Sequence, residues 1–147
     1  MEQCELSSLN SVRQFAARML ETESRVDILI NCAGVKNTPH WKTQDGFEYQ
    51  LGVNYLSHFL LTWLLLPVIK RVGEGARIVN VSCSQHRNVR VGQAQSEDRD
   101  NNVLLFKFDP DNLFSEPEKY KAKFAYGRCV SLIIFYQFST HHSFSIF

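Results

Sequence analysis

Val26-Asp27-Ile28-Leu29-Ile30-Asn31-Cys32-Ala33-Gly34 is the stretch on which the fold turns. Four of its first five residues are apolar, β-branched types among them, and the run then stops at small and polar residues. That composition predicts a strand buried on both faces, as in a parallel sheet with helices on either side. At its carboxyl end Asn-Cys-Ala-Gly presents small side chains and backbone amides, where open α/β sheets take ligands. The same nine residues also read as no more than a strand ending in a turn. The flanking segments decide.

Upstream, Ser7-Ser8-Leu9-Asn10-Ser11 supplies helix-capping types, and Val12, Phe15, Ala16, Met19 and Leu20 follow at helical spacing. This predicts an amphipathic helix ending near Glu23, with the strand directly after it. Downstream lies a polar loop through Asn37-Thr38-Pro39 and Thr43-Gln44-Asp45-Gly46. From Phe47 to Val72 apolar residues dominate, which predicts a long buried helix through Asn54, His58 and Thr62, bent or ended near Pro67. Gly73-Glu74-Gly75 reads as a turn and Ala76 to Ser82 as a second strand. Strand, long helix and strand make a βαβ crossover, which implies a parallel pair.

Ser84 to Glu118 is polar and irregular, with Ser96 to Asn102 read as a mobile surface insertion and Phe106 to Pro110 as a short extended piece. A last helix is expected from Tyr120 towards Phe138. Ser139 to Phe147 shows neither helical nor strand pattern, and His141-His142 is too isolated to imply a metal.

The 147 residues suit one domain, and 44% hydrophobic with 21% charged residues exclude a disordered chain. A net charge of +1 argues against a nucleic-acid surface, which needs clustered Lys and Arg. Cys4, Cys32, Cys83 and Cys129 are far apart and point to neither zinc nor a disulfide framework. Free thiols fit a reducing compartment. The start of the chain lacks the basic and apolar regions of a signal peptide. Phe59 to Ile69 is shorter than the about 20 residues that a bilayer span requires.

In order, the segments resemble the short-chain dehydrogenase/reductases, in the branch of retinol-dehydrogenase-like enzymes. The resemblance runs from Cys4 to Phe138. It is carried by Glu5-Leu6-Ser7-Ser8, Asp27 to Gly34, Asp45-Gly46-Phe47-Glu48, Gly52 to Thr62, Arg77 to Ser82 and Ala125-Tyr126-Gly127-Arg128. It implies a partial Rossmann-type, doubly wound parallel α/β sheet, of which this chain holds the central βαβ portion. Residues 1–138 would form the partial domain and 139–147 an unstructured or non-family tail.

The resemblance also implies hydride transfer between an alcohol and a carbonyl, retinoid- or steroid-like, with NAD or NADP, the branch leaning to NADP. In that chemistry a tyrosine phenol, ordinarily ionising near pH 10, is made acidic by a lysine four residues on. A serine holds the substrate oxygen, and an asparagine on the long helix supports a relay water. The asparagine maps to Asn54 and the tyrosine to Tyr126. The serine position holds Cys83, a weak hydrogen-bond donor. The lysine position holds Val130, and Lys121 and Lys123 precede the tyrosine as solvated charges. On the cofactor side Glu5, Leu6, Asn31, Ala33 and Gly34 match the adenosine crevice. The glycine-rich phosphate turn has no counterpart in these residues.

The expectation is therefore a fragment or isoform of an NAD(P)-dependent oxidoreductase, inactive as written and binding its cofactor very weakly. Two alternatives stand beside it: a non-catalytic module pairing with an intact relative through the long helix and the Tyr126 helix, or an incomplete gene product. With a neighbouring strand missing, Ile28, Leu29 and Ile30 would form an exposed apolar edge. No membrane span and no nucleic-acid partner are expected. The compartment implied is the cytoplasm or the cytosolic face of an intracellular membrane, not the exterior.

Overall fold

Ser8 stops the chain from entering helix too early: its backbone is extended, and its hydroxyl accepts the Ser11 N–H at 3.4 Å. Helix α1 then runs Leu9–Thr22, with Asp45 on the following loop adding a second cap by accepting the Leu9 N–H at 2.8 Å. The structure, a computed structural model, describes residues 2–84, 89–90, 106–107, 117–139 and 145–146. Strand β1 is Ile28–Asn31, and β2 is Arg77–Asn80. Between them lies α2, Tyr49–Lys70, which contains a π-helical stretch at Gly52–Leu56. Helix α3 is Ala122–Ser139. β1 and β2 pair in parallel, Ile28 opposite Arg77 and Asn31 opposite Asn80, as the βαβ reading requires. The fold is a partial α/β Rossmann arrangement.

Three expectations meet a different outcome. Pro67 does not end the long helix, which continues to Lys70. Its missing N–H would have bonded the carbonyl of Trp63, and both residues are exposed. β1 is not buried on both faces. Leu29 and Asn31 point towards α1 and α2, while Ile28 and Ile30 remain 58% and 61% exposed. The exposure foreseen for this apolar edge thus holds for the two isoleucines and not for Leu29, which packs on the core. The tail, read as without strand pattern, contains β5, Ser145–Ile146, which pairs in parallel with β2. The short extended piece at Phe106 is found as β4, Phe106–Lys107, paired with β3, Val89–Arg90. The insertion at Ser96 to Asn102 and the His141-His142 pair lie outside the described residues.

The main core sits on one side of the sheet. Val12 and Ala16 of α1 meet Leu61, Leu65, Val68 and Ile69 of α2 over Ile78 of β2. A second cluster joins Leu51 of α2 to Cys129 and Val130 of α3. By length and apolar composition α2 could cross a membrane, contrary to the shorter run read from the sequence. With 56% of its apolar window buried in the fold, it behaves here as a core helix.

Gly52 is where α2 approaches the loop before it. A Cβ there would collide with the Thr43 methyl group. Gly52→Ala should cost roughly 1–3 kcal/mol, the usual penalty of overpacking. Thr43→Ser, which removes the methyl and keeps the hydroxyl bonded to the Phe47 N–H, should restore most of it; denaturant unfolding of the single and double variants checks this.

Candidate active site

The carboxyl end of β1 turns into a loop, and α2 holds that loop through Asn54. The Val35 N–H donates to Asn54 Oδ1 at 2.8 Å, and Asn54 Nδ2 donates back to the Val35 carbonyl at 2.8 Å. Gly34 makes the approach possible, since a Cβ there would stand 3.2 Å from Asn54 Oδ1. Asn54 belongs to the π-helical stretch, a feature that often marks functional sites. Its own carbonyl accepts a hydrogen bond from His58 Nδ1 at 3.0 Å. Burial holds the His58 pKa below its ordinary value, opposed by that hydrogen bond.

Tyr126, half-buried on α3, faces the end of β2. Its side chain hydrogen-bonds with Cys83, and burial first, then Cys83 and Cys129, push its phenol up to about 12. Cys129 is fully buried; its thiol donates to the Tyr126 carbonyl at 3.0 Å and receives Asn54 Nδ2 at 3.4 Å. Burial carries this thiol to about 12 as well, so it stays protonated at neutral pH. Asn54, Cys83 and Tyr126, singled out from the sequence, therefore meet around Cys129. Val130 is buried in the cluster with Leu51, and Lys121 and Lys123 are exposed. The Tyr126 phenol and the Cys83 thiol make a polar pair after β2, and the Asn54 amide is engaged by Val35 and Cys129 beside it. They supply no positive charge.

The five residues assigned to the cofactor are divided between two segments and the interior. Glu5 is exposed, and its carboxylate accepts the Ser7 N–H at 2.9 Å, which lowers its pKa. The Leu6 carbonyl is tied to α2 by Ser57 Oγ at 2.6 Å. Ala33 and Gly34 are exposed at the end of β1. The Asn31 side chain points inward, its Nδ2 donating to Thr62 Oγ1 at 3.0 Å and to Asn80 Oδ1 at 2.8 Å. Asn31 thus locks β1, β2 and α2 together, and its side chain does not share the exposed surface of Ala33 and Gly34.

Two features escaped the sequence reading. Glu48, almost fully buried, caps α2 by accepting the N–H groups of Gln50 and Leu51 at 3.0 and 2.9 Å. Gln50 receives the Asn37 N–H at 3.0 Å and donates to Tyr120 Oη at 2.8 Å and to the Ala122 carbonyl at 3.0 Å. This network joins the loop, α2 and the start of α3. Its only local signal was a carboxylate placed just before a helix start. The second is Lys36, whose ammonium lies over the Tyr126 ring, 5.2 Å from the centroid. No sequence signal links these two residues across ninety positions.

Asn54→Ala should lower stability by about 1–3 kcal/mol, because the Val35 N–H and carbonyl lose their partner. Urea unfolding measures this. His58, with its lowered folded pKa, contributes fully above its unfolded value near 6.5 and loses that contribution as pH falls below it. Thermal stability should therefore drop between pH 7 and pH 5 less steeply in His58→Gln than in the parent chain.

Residues 1–95 match the family model of the short chain dehydrogenases. Retinol dehydrogenase 13 from Homo sapiens is 42% identical over 132 residues, covering 90% of this chain and 34% of that protein. Retinol dehydrogenase 12 from Homo sapiens is 50% identical over 97 residues, 65% of this chain and 30% of its own length. The chain thus spans about a third of the curated relatives it matches. A crystal structure of a Mycobacterium paratuberculosis protein aligns with a TM-score of 0.65 at 30% identity, over 94% of this chain and 42% of its own. A metagenomic short-chain oxidoreductase in complex with NADP, at 19% identity and a TM-score of 0.59, shares the fold over 99% of this chain and 55% of its own. With sequence match and fold in agreement, this chain belongs to the short-chain dehydrogenase family and is related to the retinol dehydrogenases.

Proposed function

We propose that this chain carries the acid–base corner of an NAD(P)-dependent oxidoreductase for an alcohol or carbonyl of retinoid or steroid-like character. Its 147 residues alone turn over no such substrate at a measurable rate. The observation that carries the reading is Tyr126 hydrogen-bonded to Cys83 at the end of β2, with Asn54 reaching the same corner from α2. A substrate oxygen held there would exchange a proton with the Tyr126 phenol. Cys83 would steady it through a thiol, a weaker donor than a hydroxyl. Asn54 would fix the loop that forms the other wall.

The nicotinamide cofactor fits these residues only in part. Glu5, Leu6, Ala33 and Gly34 offer an adenosine side, with Asn31 behind them. No glycine-rich turn in the sequence supplies amides for a pyrophosphate. NAD and NADP are therefore both expected to bind very weakly, and a calorimetric titration giving micromolar affinity would contradict this.

The four cysteines are thiols outside any disulfide, which supports a reducing compartment, the cytoplasm or the cytosolic face of an intracellular membrane. One observation favours a second reading, a non-catalytic module that pairs with an intact relative. Trp63 is 62% exposed on α2, and Phe59, one turn before it, is exposed as well. A change of elution volume on mixing the chain with such a relative, lost in Trp63→Glu, separates the two readings.

The activity test fuses the N-terminal strands of an intact relative onto this chain. The fusion is compared with and without Cys83→Ser and Val130→Lys. The unrepaired fusion should be silent and the repaired one faster by at least about 100-fold, the lower range for a positioned acid or base. An unrepaired fusion running at the relative's own rate would sink the proposal.

A further inference from the structure

The loop between β1 and α2 is pinned on both sides of Lys36. Val35 is held by the two Asn54 hydrogen bonds, and the Asn37 N–H is held by Gln50 Oε1 at 3.0 Å. Lys36 itself is exposed, and its ammonium stands over the face of Tyr126, 5.2 Å from the ring centroid. We propose that Lys36 supplies, from this loop and across the ring face, the positive charge that steadies the Tyr126 phenolate. The functional meaning rests on reading Tyr126 as the group that exchanges a proton. The electrostatic claim stands apart from that reading.

The physical argument is one of difference between two protonation states. A cation over an aromatic face is attracted by the ring's negative quadrupole. Ionising the phenol spreads further negative charge over the oxygen and the ring, so the attraction grows and the phenolate gains more than the phenol. The other groups facing Tyr126 act against ionisation. Cys83 after β2 hydrogen-bonds its side chain, Cys129 on its own helix opposes a second negative charge, and burial withholds water. From α2, Asn54 brings an uncharged amide, and the nearby Glu48 carboxylate adds negative charge around Cys129. One turn along α3, Val130 is buried and uncharged. Of the groups named here, Lys36 is the one that favours the charged phenol.

The test uses the full chain with 3,5-difluorotyrosine at position 126, whose phenol ionises low enough that lysine side chains keep their charge throughout the titration. Fluorine NMR follows the ionisation at this one site. Lys36→Met should raise the midpoint by about half a pH unit, the water-screened Coulomb attraction between the ammonium and the added phenolate charge on a ring centred 5.2 Å away. Lys36→Arg, which keeps a cation able to stack on the ring, should hold the midpoint near that of the parent. Added salt should narrow the gap between Lys36→Met and the parent. A midpoint that stays put in Lys36→Met, with the amide spectrum otherwise intact, overturns the proposal. So does an equal shift in Lys36→Arg, which would make the effect one of packing. Failure of the proton-exchange reading shows elsewhere, as a repaired fusion that keeps its rate in Tyr126→Phe.

Discussion

The exchange of two hydrogen bonds between the Asn54 amide and the Val35 backbone is the contact from which the site hangs. A peptide N–H and carbonyl at the end of a strand need partners, and here one side chain on α2 serves both. The arrangement demands a glycine at position 34, so that the amide can come close, and another at position 52, so that the helix can enter beside Thr43. Further along the loop, Asn37 is bonded to Gln50, and the Tyr120 hydroxyl reaches the Thr38 carbonyl at 3.0 Å. Loop, α2 and the start of α3 are thereby tied together. The positions of Lys36 and Tyr126 relative to each other follow from it.

The sheet shows what this grip does not provide. On one face Leu29, Asn31, Ile78 and Asn80 meet the helices, and Asn31 Nδ2 donates to both Asn80 and Thr62, while Asn31 Oδ1 is buried without a partner. On the other face Ile28 and Ile30 stay open. Being 58% and 61% exposed, each forgoes roughly 1–2 kcal/mol of what full burial of such a side chain would contribute. Stability therefore rests on the one-sided core of α1, α2 and β2, and the apolar character of β1 exceeds what that core uses.

That excess explains where the sequence was legible and where it was not. The apolar run of β1, the spacing of α1 and the length of α2 reported local chemistry, and each element stands within a few residues of its reading. The number of covered faces is a tertiary fact, and hydrophobicity alone could not report it. Pro67 misled because its cost depends on whether the carbonyl one turn back is buried. In the site, Asn54, Cys83 and Tyr126 were legible by position in a familiar order of segments. Lys36 and the Glu48–Gln50–Tyr120 network were not, since their meaning lies in contacts between segments far apart in the chain. The inward turn of Asn31 was hidden for the same reason.

What distinguishes this corner is that its geometry and its electrostatics have parted. Packing keeps Tyr126 beside Cys83 and within reach of Asn54, and Val130 strengthens that packing by filling the cluster with Leu51 and Cys129. A lysine at that position would have to bring charge into the same apolar surroundings, at a desolvation cost that valine avoids. Valine at this position therefore serves the packing of the cluster and brings no charge beside the phenol. Burial and two thiols then raise the phenol. The charge of Lys36, on the exposed loop, meets the ring over its face, while Cys129 and Val130 on the same helix as Tyr126 are buried. The loop's anchoring through Asn54 thus also holds Lys36 over the Tyr126 ring.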